Sequence, residues 1–156
     1  MVTKASSQKH GDTWESKVIE SMFGVSKKEF QKIAKITNTH PVDIPKGVFL
    51  GVDVLKQEQV KTSDSNKFGC GDSRHFYKTT EQGVILSIAR YLQEGDYKKV
   101  YEVHEFDIKP KHHKMIYGSL SYKQIEEYFL FVKSHNSREN RKWLGKMKKD
   151  LMYGND

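Results

Sequence analysis

Residues 47–63 read GVFLGVDVLKQEQVKTS. Pro41 and Pro45 exclude a helix just upstream, and from Val48 the β-branched and aromatic content rises, so Val48 to Thr62 is expected to be extended and to open a sheet. Alternation then places Asp53, Leu55, Gln57, Gln59 and Lys61 on one face of a straight strand, and Val52, Val54, Glu58 and Val60 on the other. A solvent-facing edge would give the same polar pattern, so the pattern alone settles the strand and not its purpose.

Working outward, the start of the chain reads as a polar tail over residues 1–10, followed by one domain over 11–156. A first helix is expected to begin at DTWE, with Asp12 as cap and Glu15 reaching back, and to bury Val18, Ile19, Met22 and Phe23 until Gly24. A second repeats the capping box at Ser26 and Glu29 and buries Phe30, Ile33 and Ala34. Beyond Lys61, SDSNKFGCGDSRHFYKTT reads as a long loop, TEQGVILSIARYLQEG as a helix, KKVYEVHEFDI as a strand and KMIYG as a short strand. Two helices, SYKQIEEYFLFVKSH and SRENRKWLGKMKKDLMYG, close the chain. The order predicts an α/β or α+β fold in which helices flank a small mixed β-sheet.

At 156 residues the chain is long enough to bury a core without staples. Its 27 Lys and Arg against 20 Asp and Glu leave a net charge of +7, which favours an anionic polymer or surface. No run reaches the length of a membrane span and the start lacks a secretion core, so a soluble, cytoplasmic protein is expected. Cys70 is the single cysteine, which excludes an internal disulfide and any cysteine-rich zinc site.

An acid, then Glu or Gln, one residue and Lys on a neighbouring strand resembles the core of the PD-(D/E)xK nuclease superfamily. Here the tripeptide is Gln59-Val60-Lys61, like members in which Gln replaces the second acid. Glu15 in GDTWESKVIESMFG fits the further Glu that this family carries on a helix before the sheet. The resemblance spans about residues 11–108 and implies a restriction-endonuclease-like core and a Mg²⁺-dependent DNA endonuclease, with Mn²⁺ as a substitute. It implies metal ligation by Asp53, Gln59 and Glu15, with Lys61 orienting or activating the attacking water. Magnesium suits these residue types, because it prefers hard oxygens and needs few carboxylates.

The first acid has two candidates. Asp53 lies in the extended run, and if Lys56, Gln57 and Glu58 form a three-residue loop, Leu55 pairs with Gln59 and Asp53 with Lys61 on one face. A two-residue loop would turn Asp53 away. Asp43, in HPVDIP, stands sixteen positions before Gln59, a more comfortable separation for paired strands. Asp53 is preferred, and Glu58 is ranked below both because parity turns it away from Gln59.

Phosphate contacts are expected from Arg74, His75 and Lys78 in the loop after the Lys61 strand, from Lys111 in the basic KPKHHK loop, and from Arg138, Arg141, Lys142 and Lys146 near the C-terminus. The expected partner is double-stranded DNA, cut by a homodimer or higher oligomer because one site cuts one strand. A structure-specific resolvase and a non-catalytic nucleic-acid-binding protein are the alternatives.

Overall fold

The computed structural model describes residues 4–95 and 97–134, with side chains from residue 13 onward. The chain divides into two compact units, one of residues 1–69 and 83–108, the other of residues 70–82 and 109–156.

The first unit holds α1 (Lys4–Phe23), α2 (Lys27–Ala34), β1 (Gly47–Phe49), β2 (Val52–Val54), β3 (Glu58–Ser63), β4 (Val84–Glu94) and β5 (Tyr97–Ile108). Helix α1 starts at Lys4, so Asp12 lies inside it instead of capping it, and helix also covers most of the stretch read as a tail. Between α1 and α2, Gly24 adopts a φ of 69°, a conformation open to glycine without strain. The Ser26 hydroxyl then accepts from the Glu29 N–H at 3.3 Å, the N-cap half of the expected capping box. This turn stacks Phe30 on Phe23 at 4.4 Å and sets both edge-on to Phe49. Ile19, Phe30 and Ile44 are fully buried in the same cluster. Burial of that kind contributes about 1.5–3 kcal/mol for each side chain.

The sheet has the order β3-β4-β5, with β3 parallel to β4 and β4 antiparallel to β5. It is the mixed sheet with flanking helices that an α/β reading of the sequence expects. Two expectations around it are corrected. The loop before β4 is helix α3 (Ser73–Gln82), and VILSIARYLQE is a strand instead of a helix. The physical reason is burial on both faces: Val84, Leu86, Ser87, Ile88 and Ala89 are all buried, so the run is apolar almost throughout. Such a run satisfies helical spacing by accident, whereas its β-branched residues suit a central strand. Gly83, at φ 91°, breaks the chain direction between α3 and β4.

The hairpin expected to pair Leu55 with Gln59 does not form. Strand β2 pairs with β1 in a sheet of its own, Asp53 opposite Val48. The turn lies at Leu50 and Gly51, both with positive φ, so the glycine in GVFLGVD closes the hairpin earlier than the LKQEQ segment could.

The second unit contains α3, α4 (Pro110–Tyr117) and α5 (Tyr122–Ser134). KMIYG belongs to α4 and is no strand, because Pro110 opens a helix at its first position and the Lys109 N–H donates to His112 Nδ1 at 3.1 Å. Helix α5 forms as expected from its spacing, with Ile125 buried. The expected C-terminal helix lies outside the described residues.

Candidate active site at the edge of β3

Asp43 precedes the hairpin and lies along the free side of β3. Its N–H and that of Ile44 both donate to the Glu58 carbonyl, at 3.1 and 3.0 Å, while the Glu58 N–H returns to the Ile44 carbonyl at 2.7 Å. Two residues thus oppose one, a β-bulge of the sort that re-aims a side chain. Asp43 Oδ2 accepts from the Val60 N–H at 2.7 Å, taking the place that a backbone carbonyl would fill in a continued ladder. The carboxylate is therefore fixed against the Gln59–Val60 peptide, adjacent in sequence to both Gln59 and Lys61.

Asp53, the preferred first acid, is exposed on β2 and outside the ladder of β3. Asp43 is the acid that the fold brings to the Gln59-Val60-Lys61 segment.

Gln59 is buried, and its side-chain Oε1 has no hydrogen-bond partner. An orphaned buried amide oxygen costs roughly 1–3 kcal/mol, so a residue kept there against that cost suggests a use for the acceptor. Lys61 is half-buried two positions along, on the same face of β3.

Glu58 faces away from Gln59, as parity along β3 expects. Its carboxyl is pushed above the ordinary glutamate range, first by burial and then by the negative charges of Glu105 and Asp43. Register explains the Glu105 contribution: Val60, Ser87 and Glu105 form one row across the sheet, and Glu58 precedes Val60 on the same face. The bulge lies in the Asp43–Ile44 segment opposite Glu58 and leaves the parity of β3 unchanged.

Glu15 on α1 lines a small polar cleft together with Asp43, His40, Gln31 and Lys27. It accepts a 2.8 Å ion-paired hydrogen bond from Lys27 Nζ, with both side chains largely buried. Glu15 and Asp43 thus reach one cleft from separate elements. Among the described residues no three His, Cys, Asp or Glu side chains gather as a metal-binding group. Two hard oxygen donors, the carboxylates of Glu15 and Asp43, line that cleft, which suits a hard divalent cation; Glu58 and Gln59 point to opposite faces of β3 and do not line it, although the Gln59 amide oxygen is partnerless.

The expected phosphate contacts divide. Arg74 and Lys78 sit on α3 and not in a loop, and both are engaged within their own unit. Asp72 takes the Arg74 guanidinium at 2.7 and 3.1 Å, which holds the Asp72 carboxyl down to about 2, and the guanidinium lies 3.9 Å over the Phe129 ring. Lys78 lies 4.3 Å over Tyr122. His75 is half-buried and its carbonyl accepts from Thr79. Lys111 is exposed on α4, so KPKHHK is helical and not a loop. In that helix His113 is not a loose basic group: its Nδ1 meets the buried Thr80 hydroxyl at 2.9 Å and its ring stands edge-on to Tyr77. Arg138, Arg141, Lys142 and Lys146 lie outside the described residues.

Among the described residues no helix is long and apolar enough to cross a membrane. No protein-family model, curated protein or solved structure matches the chain.

Proposed function

We propose that this protein is a metal-dependent endonuclease acting on double-stranded DNA, of the PD-(D/E)xK kind, with Asp43 as its first acid. The observation that carries the reading is the bulge that fixes the Asp43 carboxylate on the Val60 amide, beside Glu58, Gln59 and Lys61 and in the cleft that Glu15 enters. Asp43 and Glu15 would hold the cation, with the Gln59 amide oxygen, one residue before the Val60 N–H that fixes Asp43, as a further donor. Magnesium bound there supplies a Lewis acid for the phosphoryl oxygen and a nucleophilic water.

The chain's own residues do the positioning. Val60 holds the Asp43 carboxylate in one orientation, so little reorganisation is needed when charge develops. Lys61, a compact cation on the strand next to that carboxylate, would orient the attacking water and offset the negative charge that grows on the scissile phosphate. The net charge of +7 favours the polyanion at long range. Duplex cleavage by a site that cuts one strand implies a homodimer, of restriction, homing or resolvase type.

The ion pair of Glu15 with Lys27 favours a second reading, in which the acids only brace the fold and the protein binds nucleic acid without cutting it. Digestion of a long unmethylated DNA with Mg²⁺ or Mn²⁺ separates the two. Cleavage that EDTA stops and Asp43→Asn removes supports the nuclease; tight binding with no cleavage under either metal supports the binder.

A further inference from the structure

The face of the sheet that carries Gln59 and Lys61 also carries a cleft of about 240 Å³. Lateral partners share a face, so Lys61, Ile88 and His104 form one row, Gln59, Leu86 and Phe106 another, and Ser63, Arg90 and Glu102 a third. Ser63, Ile88, Arg90, His104 and Phe106 all line the cleft. Its remaining wall is the turn after β3, which the Ser63 hydroxyl ties down by donating to the Lys67 and Ser65 carbonyls. That turn brings Phe68 to the cleft.

Three properties define what would fit. The space is below the usual range for a drug-sized ligand and suits one planar ring system. Aromatic rings stand open to it: Phe68 and Phe106 are 37% and 47% exposed, and the His104 ring is roughly parallel to Phe106 at 6.2 Å. Arg90 supplies donors without adequate acceptors, since Glu102 lies 3.6 Å from one terminal nitrogen, beyond a good hydrogen bond, and the buried Nε has no partner. His104 Nε2 takes the nearer contact to Glu102, at 3.0 Å.

We propose that this cleft holds a guanine base of the bound nucleic acid, stacked on Phe106 and Phe68 and read by Arg90; the inference rests on the nuclease reading above. On the edge that faces the major groove, guanine alone among the bases presents two adjacent acceptors, O6 and N7, to a guanidinium fork. Adenine replaces one with an amino donor that opposes Arg90, and a single pyrimidine ring stacks over less area. The row of Lys61 reaches His104 across two strand spacings, about 10 Å, so the cleft would read a base close to the phosphate at which Lys61 acts.

The test is the affinity of the full chain, in EDTA, for labelled oligothymidylates that are uniform or carry one central guanine or adenine. The guanine strand should bind about tenfold tighter than the other two. Arg90→Ala and Phe106→Ala should each erase that preference and leave binding to the uniform strand, whereas Lys61→Ala should retain it. Circular dichroism checks folding, and Arg90→Lys, which keeps the charge but not the fork, replaces Arg90→Ala should that variant not fold; it too should lose the preference. Equal affinity for the three strands, or a guanine preference that survives both substitutions, overturns the proposal. Binding to no strand at all overturns it as well; if duplex DNA is still cut in either case, the nuclease reading stands and only the pocket falls, whereas a duplex that is neither bound nor cut overturns both.

Discussion

Asp43 Oδ2 lies 2.7 Å from the backbone nitrogen of Val60, so an acidic side chain replaces a ladder carbonyl at the edge of β3. The contact does two things at once. It satisfies a strand N–H that the bulge leaves without a backbone partner, and it fixes a negative charge beside the peptide between Gln59 and Val60.

Asp43→Asn keeps an oxygen for the Val60 N–H and removes the charge. The variant should fold with a stability within about 1 kcal/mol of the parent, because one charge-assisted hydrogen bond becomes a neutral one. Its Mg²⁺-dependent plasmid nicking should fall by at least about 100-fold, the scale of losing a charged group that organises a transition state. Asp53→Asn, on the exposed hairpin, should nick at the parent rate. Loss of activity in Asp53→Asn with none in Asp43→Asn reverses the assignment.

Lys61→Ala should reduce cleavage by about 100- to 1,000-fold while a gel shift in EDTA shows nearly unchanged binding. An equal loss of binding and cleavage would mark Lys61 as one more phosphate contact.

Gln59→Leu separates stability from activity. Leu has similar bulk and leaves no orphaned acceptor, so the variant should gain about 1 kcal/mol in urea unfolding. It should also lose metal-dependent cleavage. A destabilised Gln59→Leu would mean that the amide is satisfied in solution.

Glu58 sets a pH dependence. Burial, then Glu105 and Asp43, raises its folded pKa above the unfolded value, so the folded chain binds the extra proton between the two values. Its contribution is therefore most favourable below the ordinary glutamate pKa and is lost as pH rises through the raised one. Glu58→Gln should melt higher than the parent at neutral pH, and the two melting temperatures should converge below about pH 4. A gap that widens toward acid contradicts this account.

Asp72 caps α3: its Oδ1 accepts from the Arg74 N–H at 2.9 Å, besides pairing with the guanidinium. Asp72→Ala should cost about 1 kcal/mol in denaturant unfolding, most of it from the cap, since an exposed ion pair adds little. The Asp72 carboxyl is held down to about 2, so its contribution is present above the ordinary aspartate value and fades as pH falls through about 2. The difference between parent and variant should shrink over that acid range.

What the sequence determined by itself is the local layer: Ser26 as a helix cap, the helix of Tyr122–Ser134, the strand of Tyr97–Ile108 and the Gln59-Val60-Lys61 segment on a strand. Each rests on interactions among residues close in the chain, which spacing alone displays. Tertiary structure decided the rest. VILSIARYLQE became a strand because β3 and β5 pair with its two edges and take up its backbone hydrogen bonds, a fact that no residue within it records. Asp43 and not Asp53 met Val60 because Leu50 and Gly51 closed a private hairpin and a bulge turned Asp43 onto the edge of β3. Parity counts residues along a straight strand; the bulge changes the count, and only the pairing partner reveals it.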